Sequence, residues 1–386
     1  MTDLGPLTPA DEYLHHQITD TFATVLQSDR SWTEKIWAMA AARDGSLSIG
    51  FGLGKYANRG VMDAVAGVSR QREQWTVRAS RELGSSRDLT VVGPIEYEIA
   101  EPLQRIRFVL EPNEHQPVAF DYTMSGVVPP FLEQREVHRA PDGSRLDADV
   151  VRYHQAGVAE GWVEVDGVRS EITPEAWVAT RDHSWGVRYA VGAPVTDVRG
   201  GPVPADLGSL SMWCPVTCER PDGSRYALHW YYQRTTRGSW QKVELQGGVE
   251  RPDGGKDHFV ALTHDLEFDP VNRRFLRGEL RFVTADGSER PLRVEAVSET
   301  GFLLGAGLYF GLDGHWHGQW RGPLMVEGEH TPDCTDLETV HRLHQLRDCI
   351  VRVEDPVGGG VGWGNLESIA FGPHPDLGLS AETSFR

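Results

Sequence analysis

From residue 35 onward the chain alternates apolar and polar residues in short runs with a period of two. Clear examples are Ile95-Glu96-Tyr97-Glu98-Ile99 and Arg105-Ile106-Arg107-Phe108-Val109. In a β-strand such alternation places every second side chain on the same face, so that one face is buried and the other is wet. The pattern therefore predicts antiparallel strands arranged as a sandwich or an up-and-down barrel.

Asp-Gly dipeptides recur between these runs, and both residues tolerate the positive φ that tight hairpin turns require. Seven such turns in one chain favour an antiparallel meander over βαβ units, which need long crossovers. They lie at Asp44-Gly45, Asp142-Gly143, Asp166-Gly167, Asp222-Gly223, Asp253-Gly254, Asp286-Gly287 and Asp313-Gly314. The sequence thus predicts an all-β fold.

Two segments carry helical spacing instead. Residues 8–28 begin with Thr8 as a candidate N-cap and Pro9 at the first helical position. Apolar residues then follow at intervals of three or four, at Leu14, Ile18, Phe22 and Val25. The spacing predicts an N-terminal helix that packs across the outside of a sheet or plugs a barrel. A second helix is predicted over about 335–348.

The length of 386 residues exceeds the usual size of one hydrophobic core, so we expect two domains or two fused barrels. We place the helix in residues 1–30, a first β domain in 31–178 and a second β domain in 179–386. The second β domain is expected to carry the functional site.

The net charge and the absence of targeting segments limit the classes of partner and the location that we expect. A net charge of −18 argues against nucleic acid and anionic membrane surfaces as partners. No run approaches 18 apolar residues, and the first residues lack the basic and apolar regions of a secretory signal. Four cysteines in so long a chain do not form a disulfide framework. We expect a cytoplasmic protein without a membrane span; the number of subunits stays open, a homodimer included.

The segment Arg181-Asp182-His183-Ser184-Trp185-Gly186-Val187-Arg188 concentrates chemistry near the midpoint of the chain. In a strand, Asp182, Ser184 and Gly186 share one face, and His183 and Trp185 lie on the other. One interpretation is an ordinary strand in which the Asp pairs with an Arg. The other makes Asp182 or His183 an acid/base group in an apolar pocket. We expect Asp182 to face the cavity, because its small neighbours leave room for a ligand, and His183 to lie behind it.

Aromatic residues and further polar groups collect in the second half, which holds seven of the 12 tryptophans. A pocket walled by indoles with one acid is suited to protonating an alkene and shielding the resulting carbocation. The same composition would line a passive hydrophobic cavity. The candidate binding residues are Trp185, Trp213, His229, Trp230, Tyr231, His317, Trp320 and Trp363, with Glu367 as a further candidate acid.

Other kinds of site find less support. Cys334, His341, His344 and Cys349 could form a four-ligand set, but their spacing matches no familiar zinc motif. The chain has no Gly-x-Ser-x-Gly elbow, and its glycine-rich stretches lack the strand-to-helix setting of a nucleotide site. We therefore expect no metal and no cofactor.

The run Asp182-His183-Ser184-Trp185-Gly186 resembles the Asp-His-x-Trp-Gly signature of the carotenoid 1,2-hydratase and AttH-like superfamily. The stretches 317–322, 344–348 and 362–367 are also similar to segments of bacterial members. The resemblance implies two fused lipocalin-like antiparallel barrels, an architecture shared with fungal Diels–Alderases. It further implies Asp182 as the acid, His183 as its partner and Trp185 as a pocket wall. Ser184 and the flanking arginines depart from the hydratase pattern.

Together these features predict a cofactor-independent lyase, hydratase, isomerase or cyclase acting by general acid chemistry. Its substrate would be an apolar, isoprenoid-like or polyketide-like small molecule. One alternative is a non-catalytic carrier for a lipophilic compound. Another is a structural or partner-binding β protein, which an exposed aromatic cluster would favour.

Overall fold

The protein folds into two antiparallel β-barrels fused in one chain, and strands take up 58% of it. The structure is a computed structural model that describes residues 7, 10, 14–84, 89–139, 146–198 and 203–385. The all-β prediction and the double lipocalin-like barrel are confirmed. Within the described ranges, no helix is long and apolar enough to cross a membrane.

The first barrel is nearly closed and is built mainly from the N-terminal half of the chain. Its strands are β1 (Trp32–Ala42), β2 (Leu47–Tyr56), β3 (Val61–Arg70), β4 (Glu73–Glu82), β5 (Val91–Val92), β6 (Ile95–Glu101), β7 (Arg105–Leu110), β8 (Val118–Gly126), β9 (Phe131–Leu132), β10 (Glu136–Arg139), β11 (Leu146–Val165), β12 (Val168–Ile172) and β13 (Trp177–Val187). One later strand, β21 (Leu324–Thr331), returns from the second half and pairs with β4.

The second barrel closes when its two distant strands β19 and β22 pair with each other. Its strands are β14 (Leu207–Glu219), β15 (Arg225–Arg237), β16 (Trp240–Glu250), β17 (Lys256–Phe268), β18 (Phe275–Thr284), β19 (Glu289–Ala296), β20 (Phe302–Leu303), β22 (Arg347–Asp355) and β23 (Gly360–Phe371). The α-helix α1 (Leu337–Arg342) lies between β21 and β22, inside the segment predicted as the second helix.

The two barrels pack outer face against outer face. Alternate side chains of a strand at the junction therefore point into its own barrel and towards the other barrel. On β1, Ile36 and Ala38 belong to the core inside the first barrel. The intervening Trp37 and Met39 are also buried, but they contact residues outside that core, such as Phe302 and Ile350. Strands at the junction therefore bury both faces, which is why β1 reads as a nearly continuous apolar run. Side chains on the outer face at this junction can line a shared site.

The predicted N-terminal helix is wrong over its described part. Residues 14–28 form turns and bends, while residues 8, 9 and 11–13 lie outside the described residues. The side chain of Leu14 is fully exposed, and Ile18 and Phe22 are about two-fifths exposed. Helices in proteins draw most of their stability from burying an apolar face, and this segment buries too little of it.

Replacing Leu14 by alanine should therefore leave the free energy of unfolding unchanged within the error of a urea titration. Leu14 is 101% exposed, so its truncation removes no buried contact. The matched control is Leu228→Ala, because Leu228 lies fully buried inside the second barrel. A loss of stability in Leu14→Ala would show that the segment docks against the barrels.

The hydrogen-bonded sheets do not divide where the sequence placed the domain boundary. The boundary between residues 178 and 179 falls inside β13, which pairs with β1 and β11 of the first barrel. The sheets change between β13 and β14. Five of the Asp-Gly turns connect paired strands, whereas Asp313-Gly314 closes a small bridge between Leu312 and His315. Asp142-Gly143 lies outside the described residues.

Candidate functional site

A cavity of about 530 Å³ lies at the junction of the two barrels. Strands β1, β10, β11 and β13 form one wall, and β14, β15 and β23 form the other. The segment that joins β20 to β21 contributes Tyr309, Phe310 and His317, and Phe385 near the C-terminus completes the lining. A volume of this size is typical of sites for small organic molecules.

The predicted alternation along the central segment is what the structure contains. Asp182 and Ser184 line the cavity, whereas His183 and Trp185 do not. His183 accepts or donates a hydrogen bond at Nδ1 to the Tyr153 hydroxyl (3.0 Å), and its Nε2 lies 2.8 Å from Glu34 Oε1. His183 is thus held on the other side of the strand, and only Asp182 of the pair lines the cavity.

The Asp182 carboxylate contacts two other residues. One carboxylate oxygen accepts a hydrogen bond from the backbone N–H of Trp37 (2.9 Å), and the other lies 3.0 Å from Arg152 Nε. Burial raises the pKa of Asp182, and the positive charges of Arg152 and Arg188 oppose that rise. An ion pair at this distance favours the carboxylate, so we assign Asp182 as the anionic partner of Arg152.

Glu367 presents a second carboxyl group to the cavity from β23. It lies between Trp213 on β14 and Asp348 on β22 in the strand register. Among the described residues, no side chain or backbone group forms a hydrogen bond or an ion pair with its carboxyl group. Burial, followed by the nearby Asp348, raises the pKa of Glu367 to about 8. A raised pKa favours the protonated form of Glu367, which is the form that a general acid needs.

Asp348 links the two barrels behind Glu367. Trp37 Nε1–H of the first barrel donates to Asp348 Oδ2 (2.7 Å), and Asn365 Nδ2 of the second barrel donates to Oδ1 (2.8 Å). Burial raises the pKa of Asp348 to about 7. Its negative charge, once formed, disfavours ionisation of Glu367, so Asp348 helps to keep Glu367 protonated.

A basic group faces the cavity from β1. The Lys35 ammonium lies 3.5 Å from the centre of the Tyr309 ring, and burial lowers the pKa of Lys35 to about 7. Behind it, the Tyr56 hydroxyl is 2.8 Å from His317 Nδ1, and the backbone N–H of Gly318 donates to Asp63 (2.6 Å). These contacts fix the loop that carries Tyr309 and His317 over the cavity.

A buried ionic cluster lies beside the cavity and contains the one metal-like grouping found among the described residues. Glu133, His154 and His229 bring their ligand atoms within 4.8 Å of one another. His154 already uses both ring nitrogens, at 2.9 Å from Glu133 and 2.8 Å from Glu250. Trp213 Nε1–H also donates to Glu133 (2.8 Å). Glu133 and His154 are held in a hydrogen-bonded ion network, whereas neither ring nitrogen of His229 has a hydrogen-bond partner among the described residues. We assign the network a structural role at the junction.

The candidate metal set drawn from the sequence is not brought together in the described structure. His341 Nε2 lies 3.0 Å from the Thr383 carbonyl, and His344 Nε2 lies 2.5 Å from the Gly311 carbonyl. The buried Cys349 thiol is directed at the Thr300 carbonyl (3.6 Å). His344 instead contributes to the lining of the cavity.

The cavity includes some of the predicted site residues and omits others. It is lined by Asp182, Glu367, Trp213, Tyr231 and His317, and not by His183, Trp185, His229, Trp230, Trp320 or Trp363. Trp230 points into the core of the second barrel, and Trp320 is 54% exposed. Trp363 packs near Met39 at the barrel junction, and His229 stacks on His154. Trp230 alternates with Tyr231 along β15, so the two side chains cannot share the cavity.

Sequence reasoning found Asp182 of the first barrel and His317 of the connecting segment, but it missed four other cavity residues of these two regions. Lys35, Trp37 and Arg152 lie on strands assigned to the first barrel, and Tyr309 lies in a segment without a strand pattern. The signal available was the apolar run around Trp37, which is too continuous for a strand with one wet face. That run indicates burial on both sides, although it does not identify what covers the outer face.

The sequence of this chain matches one protein family over nearly its whole length. Residues 7–380 match a family described as a family of unknown function, DUF8625. The chain belongs to this family. No curated protein is significantly similar to it in sequence.

Three solved structures are similar to this chain over most of its length, and one of them has a TM-score above 0.5. An AttH-like protein from Nitrosomonas europaea superposes with a TM-score of 0.52 at 11% identity, covering 95% of this chain and 99% of the other. CghA with Sch210972 gives 0.49 at 11% identity, covering 89% and 90%. Kievitone hydratase from Nectria haematococca gives 0.41 at 10% identity, covering 87% and 88%. The AttH-like structure confirms the predicted architecture for this member of DUF8625.

Proposed function

We propose that this protein is a cofactor-independent catalyst that uses Glu367 as a general acid on a small, largely apolar molecule bound between the barrels. The observation that carries the proposal is the Glu367 carboxyl group. It faces a cavity of about 530 Å³, and no described residue holds it by a hydrogen bond or an ion pair. A protonated carboxyl group of this kind can give its proton to a carbon–carbon double bond.

Proton transfer from Glu367 to one alkene carbon leaves a carbocation on the other carbon. The faces of Trp213 and Tyr231, which line the same cavity, attract a cation. Hydration follows if water adds to the cation and then returns a proton to the Glu367 carboxylate. Isomerisation or cyclisation follows if the cation rearranges and loses a proton to the same carboxylate. Each course restores the protonated acid.

Asp182 has a different role in this proposal from the one that the sequence resemblance implied. Its carboxylate is engaged by Arg152 and by the Trp37 backbone, so its proton is not available at pH 7. The negative charge of Asp182 disfavours ionisation of Glu367 and also stabilises a positive charge that develops in the cavity. Asp182 is thus an electrostatic partner, and Glu367 is the proton donor.

The protonation of Glu367 can be measured without knowing the substrate. The infrared band of the protonated Glu367 carboxyl group is identified as the band that the wild type has and Glu367→Gln lacks. As the pH is raised, this band should disappear with a midpoint near pH 8, because burial raises the pKa of Glu367 to about 8. The matched control is Glu295→Gln, since Glu295 is exposed on β19. A Glu367 band that is absent at pH 6 would remove the acid from the proposal.

The reaction itself can be tested in D₂O with a panel of alkenes that fit the cavity, including terpenoid and polyketide-like polyenes. An acid catalyst transfers deuterium from Glu367 to carbon, which mass spectrometry detects in the product. Binding of a panel compound without deuterium incorporation or any change in its mass would instead favour the non-catalytic carrier.

A further inference from the structure

The cavity wall formed by β1 and the end of β13 carries two basic side chains that form no ion pair with a described carboxylate. Lys35 and Arg188 both line the cavity. Within the described residues, no carboxylate forms an ion pair with either of them. Arg152, a third cation of the lining, differs because Asp182, Glu133 and Glu136 all lie within 4 Å of it.

Lys35 and Arg188 lie close to each other along the pairing of β1 with β13. Lys35 is opposite Ser184 in the pairing of β1 with β13. The Ser184 hydroxyl donates to the Lys35 carbonyl (3.2 Å) and also accepts a hydrogen bond from Arg188 Nη2. Ser184 therefore holds the Arg188 guanidinium beside the strand position from which the Lys35 side chain extends.

Both groups retain unused hydrogen-bond donors. Arg188 Nε is buried and has no hydrogen-bond partner among the described residues. Lys35 is only 7% exposed, and its ammonium contacts the Tyr309 ring but donates no hydrogen bond to a described carboxylate or carbonyl. Burying a charge without an ionic partner is costly, and an anionic ligand would supply the opposite charge and offset that cost.

We infer that the cavity binds an amphiphilic ligand whose acidic head, a carboxylate or an ionised enol, is held by Arg188 and Lys35. The apolar body of the ligand would lie against the apolar part of the lining, which includes Leu346, Ile369 and Phe385. The inference deepens the proposed function, since it assigns a substrate class to the same cavity. It also gives a reason for the flanking Arg188, which the hydratase signature does not contain.

The test uses a fluorescent polyene fatty acid, cis-parinaric acid, and its methyl ester, which keeps the apolar body and removes the charge. The wild type should bind the acid roughly tenfold or more tightly than the ester, because a charge-assisted hydrogen bond is involved. Lys35→Met and Arg188→Met should each reduce this preference, while their affinity for the ester stays at the wild-type level. Retained ester binding shows that each variant is folded.

Two exposed positions provide controls, Lys242→Met on β16 and Arg277→Met on β18, which should keep the wild-type preference. Equal binding of acid and ester by the wild type, or an undiminished preference in both cavity variants, would overturn the inference. The outcome is independent of catalysis. The acid preference is measured by binding alone, so a failure of the proposed acid chemistry would not be mistaken for a failure of anion binding.

Discussion

Replacing Glu367 by glutamine is expected to reduce turnover roughly 10²–10⁴-fold and to leave ligand affinity nearly unchanged. Glutamine keeps the size and polarity of the side chain and removes the transferable proton. No hydrogen bond of the carboxyl group is lost, since the described residues form none with it. Turnover is measured as deuterium incorporated into the product, and affinity by fluorescence titration.

The pH dependence gives an independent check on the same residue. Glu367 must carry its proton to act as an acid, so turnover should be constant below its pKa of about 8 and should fall as the pH rises above it. The charged groups that act on it are Asp348, Asp182, Arg152 and Lys35. Replacing Asp348 by asparagine removes the nearest negative charge and should move the decline to lower pH. A decline that Asp348→Asn does not shift would contradict the assignment.

Asp182→Asn separates the two carboxyl groups. If Asp182 is an electrostatic partner of the reaction, the variant should lose less turnover than Glu367→Gln, and the pH at which turnover declines should shift downward. A loss in Asp182→Asn that exceeds the loss in Glu367→Gln would return the role of proton donor to Asp182. The sequence resemblance alone implies that second outcome.

Replacing Arg152 by methionine should lower the free energy of unfolding by about 3 kcal/mol. The guanidinium is flanked by Asp182 at 3.0 Å, Glu133 at 3.5 Å and Glu136 at 3.9 Å. The Arg152 side chain is only 19% exposed, so solvent screens these charges weakly. Removing the guanidinium leaves buried carboxylates without their cation, and an uncompensated buried charge is strongly destabilising. Urea unfolding measures the effect.

Two comparisons make this prediction specific. The double variant Arg152→Met, Asp182→Asn should lose less free energy of unfolding than the two single variants lose in sum. In the double variant, the Asp182 carboxylate that Arg152→Met leaves without its cation is no longer present. Arg188→Met should lose much less stability than Arg152→Met, since Arg188 pairs with no described carboxylate. Equal losses at Arg152 and Arg188 would show that packing, and not charge balance, determines the result.

The sequence predicts the fold class well because local rules determine it. Period-two alternation and Asp-Gly turns act over a few residues, and the turns at 44–45, 166–167, 222–223, 253–254 and 286–287 do connect paired strands. The N-terminal segment shows the limit of the same rules. Its apolar spacing is helical, yet no surface of the barrels covers Leu14, so periodicity alone does not produce a helix.

For the site, the sequence by itself determined that Asp182 and Ser184 share a face and that His183 lies on the other, because strand geometry follows from the chain. Only the tertiary structure decided which faces meet. The outer faces of two barrels come together, so Lys35 and Trp37 from one end of the chain reach Asp348 and Glu367 from the other. The pKa of Glu367 depends on that burial and on charges distant in sequence. Such long-range electrostatics cannot be read from local pattern, since they arise from the docking of two complete sheets.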